Sequence, residues 1–125
     1  MSAPQQAQPE LWLGLSGEPS TGDQVATHLD AVAHLMRRDN WDPQWYGPTS
    51  DRRLEDAFLY TAYDGHGTPD TRYVGRQVME HLLRTRLNAP YVDVWVWSEQ
   101  PARTLDDLLG VLAEAASFAR AHGSR

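Results

Sequence analysis

The chain has 125 residues, 41% of them hydrophobic, with a formal net charge of −6. This is the size of one ordinary domain with enough apolar mass for a core, and its negative charge argues against nonspecific nucleic-acid binding, where phosphate neutralisation dominates affinity. Cysteine is absent, which excludes disulfides, a thiol nucleophile and Cys-ligated zinc.

Lysine and isoleucine are absent too, so all 11 basic residues are arginine. A lysine-free chain forms no Schiff base and supplies no Walker lysine, and the two absences together suggest a high-GC genome. No apolar run approaches the roughly 18 residues of a membrane span. The first ten residues lack the basic and apolar regions of a secretory signal. The expectation is a cytoplasmic protein.

In chain order, residues 1–10 are rich in Pro, Gln and Ala and are expected to form a disordered tail, with one globular domain over 11–125. LWLGL (11–15) alternates and predicts a short strand; SGEPSTGD (16–23) is a loop. A helix is expected from about Gln24 to Arg38, with Val25, Leu29, Val32, Leu35 and Met36 at helical spacing. Thr21 or Asp23 caps it, and Thr21 with Gln24 matches a capping box. Residues 39–50 break the helix with Asn40, Pro43, Gly47 and Pro48. A second helix spans about Asp51–Tyr63, capped by Ser50, with Leu54, Ala57, Phe58 and Thr61 inward.

DGHGTPD (64–70) reads as a turn. It leads into a third helix, Pro69–Leu87, capped by Thr68, which Asn88 ends in a left-handed conformation. Residues 91–97 alternate Val92, Val94 and Val96 with Tyr91, Asp93, Trp95 and Trp97, which predicts a strand. The last helix runs from Leu105 to about Ala121, with Thr104 as cap and Asp107 as its partner. Gly110 inside that helix costs about 1 kcal/mol relative to alanine; with Ala113, Ala115, Ala116 and Ala119 it suggests a close helix contact. The fold class is therefore α+β: a mostly helical domain of about four helices, with strand 91–97 paired to 11–15 or to its copy across a dimer.

The segment WSEQPARTLDDLLGVLAEA resembles a family of small uncharacterised proteins of actinobacteria and their phages, a domain of unknown function. In that family a tryptophan precedes the proline, arginine and threonine that start the last helix; here these are Trp97, Pro101, Arg103 and Thr104. The first helix with DNW and the following WY are also similar, so the resemblance covers about Leu29 to Ala119. Ser98-Glu99 stands where Asn-Asp is usual, and the middle segment 54–58 lacks the Cys and Gly of many relatives. The resemblance implies a source and a fold, and no activity.

Candidate chemistry is sparse. DGHGTPD places Asp64, His66, Thr68 and Asp70 at alternate positions, but Pro69 and Gly75 stand where a calcium loop needs Gly and Glu. GLSGE (14–18) lacks the second Gly of a nucleophile elbow. The five histidines show no pairing at helical ligand spacing, so no metal site is expected; they read as surface or core-edge residues. No cofactor is implied.

What remains is the aromatic segment. If the three valines form a core face, Trp95 and Trp97 point the other way, toward helices, a partner or a ligand. Arg103 stacks on Trp97 or pairs with Glu99 in this reading. Asp93 sits at a solvent edge or in a pocket, and Trp41 and Trp45 lie in a loop able to close over the same surface. The primary functional expectation is a non-enzymatic protein acting by protein–protein contact, as a homo-oligomer or accessory factor. The alternative is a small enzyme or ligand-binding protein, in secondary metabolism by one reading. Its pocket would use Trp41, Trp45, Trp95 and Trp97, with Asp93, Glu99, Arg103 and His66 as polar groups.

Overall fold

A computed structural model of the chain describes residues 9–41 and 53–125. Among these described residues, five α-helices follow a short 3₁₀ helix, Pro9–Trp12: α1 Gly22–Arg38, α2 Leu54–Tyr63, α3 Pro69–Leu87, α4 Val94–Ser98 and α5 Leu105–His122. Among the described residues there is no strand, only two isolated bridges, Leu13 with Pro19 and Thr21 with Ser124. The domain is all-α, which overturns the expected α+β class.

Caps written in the sequence start three helices. Gln24 N–H donates to Thr21 Oγ1 at 3.1 Å while Thr21 N–H donates to Gln24 Oε1 at 2.9 Å. Thr68 with Thr71, and Thr104 with Asp107, repeat this reciprocal pairing at α3 and α5, satisfying amides that a helix start leaves bare. Asn88 ends α3 at φ 51°. The expected start of α2 at 51, capped by Ser50, lies outside the described residues; the described helix opens at Leu54, with Asp56 accepting from Arg53 N–H at 3.3 Å. Pro9 and Glu10, expected in a disordered tail, open the 3₁₀ helix instead.

Helix α1 packs on α5, α2 and α3, and its inner stripe of Val25, Leu29, Val32 and Met36 is fully buried. The α1–α5 contact is close because Ala115, Ala116 and Ala119 face it. At its end, Gly22 lies so near Ala119 O and Gly123 that a Cβ at either glycine would overlap backbone. Gly22 N–H donates to Ser124 O at 2.7 Å, stapling the end of α5 to the start of α1. Gly110 does not share in this contact: a Cβ there meets nothing within 4 Å. Gly110→Ala should therefore raise stability by about 0.5–1 kcal/mol in denaturant unfolding, since only the helix-propensity term changes.

The segment expected as strand 91–97 turns into α4. Residues 11–15, its proposed partner, are engaged elsewhere: Trp12 ends the 3₁₀ helix, and Leu13–Pro19 is a tight hairpin in which Gly14 N–H donates to Glu18 O at 2.8 Å. Without a partner strand, the backbone amides of 94–97 need other acceptors, and those of 95–97 find them locally. Asp93 does this as N-cap, its Oδ1 accepting from Trp95 N–H at 3.0 Å and Val96 N–H at 3.3 Å. Trp97 N–H closes the turn on Asp93 O at 2.9 Å. Burial then follows helical spacing: Val94, Trp97 and Ser98 are buried, and Val96 is exposed. The three valines do not share a face.

Candidate functional site

The residues expected to form one aromatic pocket are dispersed. Trp41 is buried in the core, folded back by its N–H bond to Met36 O at 3.0 Å; it does not close over a surface as a loop residue. Trp45 lies outside the described residues. Trp95, Trp97 and His66 line three separate depressions. Glu99 ends α4 as its C-cap residue.

Trp97 and Arg103 form a brace. The guanidinium lies 3.9 Å from the indole centroid, and Nε donates to Trp97 O at 3.0 Å. Arg103 also donates to Gln100 Oε1 at 2.9 Å. These bonds tie α4 to the α5 start, with Thr104 capping the next helix. Arg103 thus takes the stacking role on Trp97 that the sequence suggested. The Trp-x-x-x-Pro-x-Arg-Thr segment is thus a folded corner.

Trp95 is half-buried, edge-on to Phe58 with centroids 5.7 Å apart, and Arg76 lies 4.9 Å over its ring. Arg76 also donates from Nε to Glu80 Oε2 at 3.0 Å and lies 3.1 Å from Asp93 Oδ1. Glu80 is buried, and its Oε2 accepts from Val94 N–H at 2.9 Å. A single charge network, Glu80–Arg76–Asp93, therefore holds the first turn of α4 and one flank of Trp95.

Beside Trp95 the surface carries Leu15, Tyr73 and Pro69, with Arg72, Arg76 and Glu55 at the same shallow depression of about 90 Å³. Leu15 is 65% exposed and Tyr73 39%. Leu15 is held out by its loop: Ser16 N–H and Oγ donate to Asp70 at 2.9 and 2.6 Å. Those bonds, the hydroxyl first, keep the Asp70 carboxyl below its ordinary pKa. Nothing in the sequence joins Leu15, Tyr73 and Trp95; only the loop clamp and the α3–α4 junction bring them together.

His66 sits elsewhere, exposed in the turn after α2. A cleft of about 530 Å³ opens there between the starts of α1 and α3, lined by Ser20, Asp23, Gln24, Thr27 and Thr68. Behind it lies His28, fully buried and not at the surface or core edge as expected. Phe58 O can only accept, so His28 carries its proton on Nε2, donating to Phe58 O and Thr61 Oγ1, both at 3.0 Å. Nδ1 then accepts from Thr71 Oγ1 at 2.8 Å. Burial pushes the His28 pKa down, against the Phe58 bond that raises it; Arg72 and His66 lower it further. The sequence did carry a signal: His28 falls on the α1 stripe between Val25 and Leu29. Among the described residues, no group of three or more His, Asp or Glu side chains could hold a metal ion, and no helix is long and apolar enough to cross a membrane.

A single all-α domain, closed by capped helices and a braced α4–α5 corner, is the class of protein that these features define. The chain belongs to a family of unknown function, DUF6197, whose model matches residues 20–118. No curated protein and no solved structure matches it.

Proposed function

We propose that the protein acts by contact with another protein, through the face built from Leu15, Tyr73 and Trp95. One observation carries this reading: three apolar side chains from three separate segments converge on one depression and remain accessible to solvent. Apolar side chains gathered inside a polar rim are the pattern of interaction sites, and Glu55, Arg72 and Arg76 supply that rim here. Val96, next to Trp95 and 60% exposed, extends the apolar character of α4. The Ser16–Asp70 clamp supports the same reading, because an anchor already held in place loses little entropy on binding.

The test compares capture of partners from native extract by the wild-type chain, Leu15→Asp and Tyr73→Glu, with Leu87→Asp as an exposed control lining another groove. Both face variants should lose the partner that the wild type and the control retain. Equal capture by all four proteins rules this face out. Light scattering on the purified chain identifies the case in which the partner is a second copy.

A further inference from the structure

The cleft beside His66 is separate from the contact face and has a chemistry of its own. It continues past Thr27 and His66, which line both parts, into a second cleft of about 320 Å³ that runs along α1 to His34 and Arg38. Its back wall is closely packed. Gly67 lies against the His28 ring so closely that a Cβ would overlap Nδ1, and the Thr71 side chain that lines the cleft is bonded to the same nitrogen. The turn that carries His66 reaches this position through Gly65 at φ 88°, a conformation that favours glycine.

The lining selects against most ligand classes. Among the described residues of the larger cleft there is no arginine, and the Asp23 and Asp70 carboxylates oppose a phosphate or carboxylate ligand. There is no Phe, Tyr or Trp either, so no platform exists for a nucleobase. Instead the wall presents hydroxyls from Ser20, Thr27 and Thr68, the Gln24 amide, the His66 ring and the exposed Asp23 carboxylate. Donor–acceptor groups of this kind match ligand hydroxyls, and a carboxylate among them matches one ammonium. The volume falls in the range of ordinary small-molecule sites.

We propose that the larger cleft binds a small non-aromatic polyol carrying one ammonium group, an amino sugar in chemical class. The ammonium pairs with Asp23, and the ligand hydroxyls meet Ser20, Gln24, Thr27 and Thr68. This site uses none of the three apolar side chains of the contact face, though Asp70 borders it and also clamps Ser16.

Amide-resolved NMR titration with glucosamine, glucose and ammonium chloride at millimolar concentrations tests it, and the spectrum itself reports folding. Glucosamine should move the amides of Thr27 and of residues 65–68, and bind about tenfold or more tighter than glucose through the charge-assisted bond. Asp23→Asn should bring glucosamine down to the level of glucose, and Thr27→Val should weaken both sugars. Leu87→Asp should change neither. The proposal is overturned if these amides do not move, if glucosamine and glucose bind alike, if ammonium chloride reproduces the shifts, or if Asp23→Asn binds as the wild type does.

Discussion

Replacing His28 with alanine should cost about 3–4 kcal/mol of stability. The imidazole is fully buried and joins three helices: α1, which carries it, α2 through Phe58 O and Thr61, and α3 through Thr71. Truncation opens a cavity edged by Phe58, whose ring meets His28 edge-on at 5.2 Å. The two threonine hydroxyls can fall back on backbone carbonyls, Thr71 on Thr68 O at 3.1 Å and Thr61 on Ala57 O at 2.8 Å. The cost is therefore mainly lost packing and lost imidazole bonds, with little from orphaned polar groups. Denaturant unfolding measures it, and a loss under about 1 kcal/mol would contradict this account.

Gly67 supplies an internal check. Alone, Gly67→Ala should destabilise by about 1–3 kcal/mol, because its methyl overlaps the imidazole. In the His28→Ala background the same methyl enters vacated space. The two losses should therefore fall short of additivity by at least about 1 kcal/mol in a double-mutant cycle.

Acidification acts on the same histidine with a defined sign. Its folded pKa lies below the ordinary value of 6.5 because burial disfavours the imidazolium. Above the unfolded pKa of about 6.5 both states hold neutral His28 and the stability is intact. As the pH falls below that value the unfolded chain takes a proton that the folded chain refuses, so stability declines until the folded pKa is reached. His81 shifts the same way, by burial first and then by Arg84. His28→Ala should make the acid decline shallower without abolishing it.

Helix starts were legible in the sequence because their signals are local: Thr21-x-x-Gln24, Thr68-Pro69 and Thr104-x-x-Asp107 each act within one turn. Asn88 was legible for the same reason. The α4 segment was not, because its alternation of valine with Tyr, Asp and Trp has two physical solutions. A strand would need a neighbouring strand, and Trp12 and Leu13 are committed to a 3₁₀ turn and a hairpin. A helix needs only Asp93 as cap and an acceptor for Val94 N–H. That acceptor is Glu80, fourteen residues upstream, and no periodicity announces a carboxylate buried at the edge of the α3 stripe. The separation of the tryptophans was not legible either: Trp41, Trp95 and Trp97 are alike in type, but each packs against a different neighbour.

Glu80 is thus the residue on which the α4 helix turns, and Glu80→Ala should cost about 3 kcal/mol. Two groups lose their acceptor at once. Val94 N–H, at a residue with no solvent exposure, is left unpaired, which carries a desolvation penalty of about 1–3 kcal/mol. Arg76 loses the closer of its two carboxylates and keeps Asp93 at 3.1 Å, so its charge is only partly uncompensated. That residual pair, with Arg76 about a third exposed, places the loss at the low end of the range for a broken buried ion pair. Glu80→Gln keeps one amide oxygen for Val94 N–H while giving up the charge, so it should cost roughly half as much. The two variants separate the cap role from the ion-pair role. Arg76 lies over Trp95, so near-ultraviolet circular dichroism and tryptophan emission should change in Glu80→Ala well below the unfolding transition. If Glu80→Ala unfolds within about 0.5 kcal/mol of the wild type and leaves the Trp95 signal intact, α4 is held by its own Asp93 cap and the packing of Val94 and Trp97, and the buried carboxylate is incidental to it.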